Sequence, residues 1–126
     1  DWPLMAGGFF PPDPFQLDPL WRNFFEDDGL VQFMHRIWGY LFLIAGLQTW
    51  VRSRKSSYTR TKRMVDWVLV LLFAQMVMGI VTVMHSSPWQ LAILHQFGAV
   101  VVWVAILRAR HLARYPLSQS VREGLA

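Results

Sequence analysis

The segment "LVQFMHRIWGYLFLIAGLQTW", Leu30 to Trp50, decides the fold. At 1.5 Å per residue it covers about 30 Å as a helix, the thickness of a bilayer's hydrocarbon core. Its composition is apolar and aromatic, broken early by His35 and Arg36. Asp27 or Asp28 stands where an N-cap belongs and suits the positive end of the helix dipole. A second apolar span follows from about Met64 to Met84, and a third from about 88 to 111 after the short link "HSSPW". Ser87 reads as the cap of the third span, with Pro88 at its first turn.

Working outward, residues 1–29 contain four of the seven prolines between Pro11 and Pro19, which rules out a regular spanning helix. They read as a long extracytoplasmic loop with a short helix around Leu20–Glu26. Trp2, Trp21, Phe24 and Phe25 suit the headgroup level. The expected organisation is a loop over 1–29, transmembrane helices within 30–112, and a cytoplasmic or matrix tail over 113–126. The expected fold class is all-α integral membrane, with three transmembrane helices preceded by a long outer loop.

The composition agrees. Hydrophobic residues make up 54% of the chain and charged residues 16%, against roughly 25% charged in average soluble domains. There is no Cys, so disulfides and thiolate metal sites are excluded. The pI is near 10.1. Ten of the twelve Lys and Arg cluster at Arg52–Arg63 and Arg108–Arg122, and six of the eight acids precede Leu30. That is polarity along a membrane normal, not a nucleic-acid-binding face. By the positive-inside rule the 52–63 link and the tail face the cytoplasm or matrix, and the 1–29 loop and "HSSPW" face outward. A chain that starts outside without an initiator Met or signal peptide reads as part of a longer polytopic protein.

Ionisable groups inside a span are costly and tend to be functional. His35 lies seven residues after Asp28, and His95 seven after Pro88. Both helices start on the outer side, so the two imidazoles sit at matched depth, roughly 10 Å along. Such a pair can ligate a heme iron from opposite faces. A histidine near a helix end also serves as an interfacial residue with one hydrogen bond, and that reading stays open. Gly39 and Gly98, one turn after the two histidines, leave room for a flat macrocycle or for close helix packing. Phe33, Trp38, Phe42 and Phe97 are candidate apolar walls. Arg36 is a candidate partner for a propionate or snorkels outward. His85 reads as interfacial, with a ligand or proton-relay role as the alternative, and His111 as solvated or lipid-facing. Gln48 and Gln75 read as interhelical hydrogen-bonding groups, and Asp66 as a partner of Lys62 or Arg63. No phosphate-cradling loop, nucleophile elbow or intramembrane carboxylate pair is present.

The series "DWPLM", "GGFFPP", "WRNFFED", "VQFMHR", "AQMVMGIVTV" and "LAILHQFGAVVVW" resembles the C-terminal half of the heme A synthase family, proteobacterial and mitochondrial type, from Asp1 to about His111. The resemblance implies eight helices in two similar four-helix halves, each with a histidine pair, so that the three transmembrane helices here belong to a four-helix heme-binding bundle. It implies oxidation of the C8 methyl of heme O to the formyl of heme A for cytochrome oxidase. The C-terminal half is similar to a heme b cofactor site, with His35 and His95 as axial ligands. Met34 departs from the Asp common in mitochondrial-type members. Without the other half, this chain is expected to be inactive alone. The implied partners are heme O, the bilayer and an electron donor the sequence does not name. Heme O synthase, cytochrome oxidase assembly factors and a second copy are candidate partners. The location implied is the bacterial plasma membrane, with the mitochondrial inner membrane as the alternative. The competing functions are a stand-alone membrane b-type cytochrome and a non-redox membrane assembly subunit.

Overall fold

The structure, a computed structural model, describes residues 2–116. The part of the expected tail from 117 to 126 lies outside the described residues. A 3-10 turn at Leu20–Arg22 leads into the short helix α1 (Asn23–Glu26). Three long helices follow: α2 (Asp28–Ser53), α3 (Thr59–Met84) and α4 (Trp89–Arg114). Among the described residues there is no strand, only a bridge between Met5 and Gly8. All three long helices are long and apolar enough to cross a membrane. The protein is an all-α integral membrane fold.

The helix boundaries have local causes. Asp27 caps α2, its Oδ1 accepting from the Leu30 amide at 2.6 Å. The start of α4 differs from the sequence expectation. Pro88, not Ser87, is the N-cap. Ser86 and Ser87 are left-handed, with φ of 59° and 54°. The Ser87 amide turns back to the Thr82 carbonyl at 2.8 Å. Ser87 closes the α3–α4 link instead of capping the next helix.

Helix α3 packs against both α2 and α4, which make little direct contact with each other. The described residues leave open the fourth position of the expected bundle. The packed core lies toward the basic end, around Val65, Val68, Ala105 and Ala109, with Trp50, Leu72 and Ile106 against it. At Gly46 a Cβ would stand 2.6 Å from Leu72 Cδ1, so a larger residue there would have to displace the Leu72 side chain between α2 and α3. Gly46→Val is therefore expected to lower stability by roughly 1–3 kcal/mol, the usual cost of overpacking. Thermal unfolding of the full-length protein in detergent checks it; an unchanged melting temperature would show that the helices separate freely there.

Asp66 does not pair with Lys62 or Arg63, as the spacing along one helix would have it. Its Oδ1 accepts from Trp50 Nε1 at 2.7 Å and faces the Arg54 guanidinium at 2.8 Å. Arg54 also lies 5.0 Å over the Trp50 ring. The carboxylate faces across to α2, so the neighbouring helix supplies its partners. This clamp closes the α2–α3 hairpin at its basic end.

Candidate functional site

Helices α2 and α4 run parallel from the same end, and each carries its histidine in the second turn. The His35 and His95 rings stand 6.0 Å apart between centroids and are nearly perpendicular, at 88°. Imidazole nitrogens bind first-row metals at roughly 2 Å. Two rings of about 1 Å radius sharing one metal this way have centroids about 6 Å apart. His35 is exposed and His95 half-buried.

Helix α3 shapes the His95 side. The Cε1 edge of the His95 ring abuts Gly79, where a Cβ would stand 3.2 Å from Cε1 and 3.5 Å from Nε2. One turn back, Gln75 Nε2 donates to the His95 carbonyl at 3.1 Å. The two glycines singled out in the sequence part company. A Cβ at Gly39 would meet nothing within 4 Å. At Gly98 the space is taken by the Gln75 amide. Of the candidate walls, Trp38, Phe42 and Phe97 are largely exposed. Phe33 sits edge-on to Phe10 at 4.9 Å.

Arg36 reaches back to the N-terminal loop. Its Nη1 donates to the Pro3 and Leu4 carbonyls, each at 3.3 Å. Trp2 Nε1 donates to the Tyr40 hydroxyl at 3.2 Å. Trp2, Pro3 and Leu4 thus lie along the turn of α2 that carries His35. Sequence reasoning assigned Arg36 to solvent or a ligand; nothing in local spacing shows a contact across more than thirty residues. Asn23, fully buried, ties the same loop together through Leu17 and Leu20. Arg22 and Glu26 pair across the short helix. The hydrogen bond from Arg22 holds the Glu26 carboxyl below its ordinary pKa. The pair therefore persists as pH falls, until Glu26 protonates below its usual range. His85 caps α3, its Nδ1 donating to the Val81 carbonyl at 2.8 Å.

The donor set fits a heme. A porphyrin iron takes two axial ligands, and His35 and His95 would each offer it one ring nitrogen. Among the described residues no group of three or more His, Cys, Asp or Glu side chains is gathered to hold a bare metal ion. His95 Nδ1 is buried without a hydrogen-bond partner. An imidazole bound through Nε2 keeps its remaining proton on that atom.

Fold and site together define a membrane-embedded helical unit presenting a facing histidine pair near one surface. The cytochrome oxidase assembly protein family, COX15-CtaA, matches residues 1–107, and the chain belongs to that family. It is 62% identical to the heme A synthase of Jannaschia sp. (strain CCS1), over 97% of this chain and 32% of that protein. It is 61% identical to the heme A synthase of Dinoroseobacter shibae, over 100% of this chain and 33% of the relative. With the heme A synthase of Paracoccus denitrificans it shares 45% identity over 96% of this chain and 32% of the relative. The chain spans about a third of the length of these curated relatives. No solved structure matches it.

Proposed function

We propose that this chain is the heme-cofactor-binding part of a heme A synthase, which oxidises the C8 methyl of heme O to the formyl of heme A. The observation that carries this reading is the His35–His95 pair, 6.0 Å apart on two helices that α3 holds in place. The family and the relatives named heme A synthase support the synthase reading.

His35 and His95 would hold the iron of a heme b through their ring nitrogens. When bound, a bis-histidine heme supplies one-electron transfer and leaves no open position for dioxygen. The role proposed here is therefore electron relay or structural support, not oxygen activation. The open space at Gly39 suits a flat ring. Arg36 acts on the loop: its bonds to Pro3 and Leu4 hold that segment beside His35. Relatives are bacterial, so the proposed location is the bacterial plasma membrane. The charge distribution puts the histidine pair near its outer surface.

The test is electron paramagnetic resonance with a pyridine-hemochrome assay on the full-length protein purified in detergent. A low-spin ferric signal of two axial imidazoles, from a heme with the b-type hemochrome, is expected. A full-length protein with no such low-spin species would overturn the reading.

A further inference from the structure

We infer that Gln75 is a positioning residue for His95, and that its side-chain oxygen is the acceptor for the His95 Nδ1 proton. The inference rests on the proposed ligation of heme by His95. Four observations converge on it. Gln75 already touches His95, donating from Nε2 to its carbonyl at 3.1 Å. Gln75 Oε1 is buried with no hydrogen-bond partner, and so is His95 Nδ1. One is an acceptor; the other is a donor once Nε2 is committed to a metal. Finally, Gly98 makes room for the Gln75 amide and Gly79 for the ring edge. Gln75 and Gly79 are one turn apart on the same face of α3.

A buried donor and a buried acceptor on residues in contact are each costly when unmade. They complement each other directly or through one bridging water. Histidine ligands commonly give their second ring proton to such an acceptor, which fixes the tautomer and raises the basicity of the ligating nitrogen. A more basic ligand stabilises ferric over ferrous iron, so the acceptor lowers the reduction potential.

The experiment is a redox titration of this heme in the full-length protein, followed in its visible spectrum, for wild type, Gln75→Leu and Gln75→Glu. Gln75→Leu removes the acceptor and is expected to raise the midpoint potential. Gln75→Glu gives up the donation to the His95 carbonyl but is close in shape and a stronger acceptor, and is expected to lower it. Opposite shifts are a signature that packing alone does not give. Should Gln75→Leu shed its heme, Gln75→Glu still carries the test by holding heme at a lowered potential. Wild-type potentials in both variants overturn the inference, as does loss of heme from both, since packing then suffices. His95→Ala separates the two readings. If it keeps the heme, the ligation reading falls. If it loses the heme while the Gln75 variants leave the potential unmoved, only the role of Gln75 falls.

Discussion

His35→Ala and His95→Ala, made singly in the full-length protein, are each expected to abolish binding of the same low-spin heme. Either change leaves one axial nitrogen on one side of a ring that both helices must grip. Losing merely the hydrogen-bond partner of a metal ligand costs roughly 10–100-fold in metal affinity, so losing a ligand itself should cost at least that. The hemochrome yield per protein should drop by one heme in each variant. The double variant should lose no more than either single one, because the two side chains act as one site. Heme added together with imidazole should restore part of the low-spin spectrum to each single variant, the free imidazole standing in for the missing ring. His85→Ala is the control: that ring caps α3 through the Val81 carbonyl, so its heme content should match wild type. Full heme content and an unchanged spectrum in both ligand variants would sink the site assignment.

Much of this arrangement was legible in the sequence, for reasons that name its limits. A bilayer admits few backbone solutions, so a run such as Leu30–Trp50 announces a spanning helix by length and composition alone. Matched depth then follows from the 1.5 Å rise and from both histidine helices starting at one end. Contacts between helices were not legible in the same way. Asp66 has basic neighbours on its own helix, yet Trp50 on α2 and Arg54 at that helix's C-cap take it. Gly39 and Gly98 look alike one turn past each histidine, but helix rotation turns Gly98 toward Gln75 and leaves Gly39 open. Periodicity fixes which residues share a face; it does not fix what that face meets. The N-terminal loop shows the same limit more sharply, since its prolines report only what it cannot form.

Asn23→Ala is expected to unfasten that loop. The Asn23 side chain is fully buried. Its Oδ1 accepts from the Leu17 amide at 2.9 Å. Its Nδ2 donates to the Leu17 and Leu20 carbonyls at 2.8 and 2.9 Å. A proline-rich segment cannot satisfy these groups with a ladder of its own, so one amide side chain does the work of a short sheet. Alanine breaks all three bonds and strands the Leu17 amide and carbonyl, at a cost of roughly 3–4 kcal/mol. Asn23→Asp should not rescue, because a carboxylate cannot donate to two carbonyls. Hydrogen exchange reads the effect directly: the Leu17 amide should lose protection while amides in the middle of α3 and α4 keep theirs. The loop also holds Arg36 and Tyr40, one and five residues after His35, through Pro3, Leu4 and Trp2. Loosening it should speed heme loss from the full-length protein without preventing binding, which a transfer assay to an apo-heme acceptor would time. Unchanged protection at Leu17 would mean that the loop's apolar contacts on α2, such as Phe10 on Phe33, hold it without the Asn23 knot.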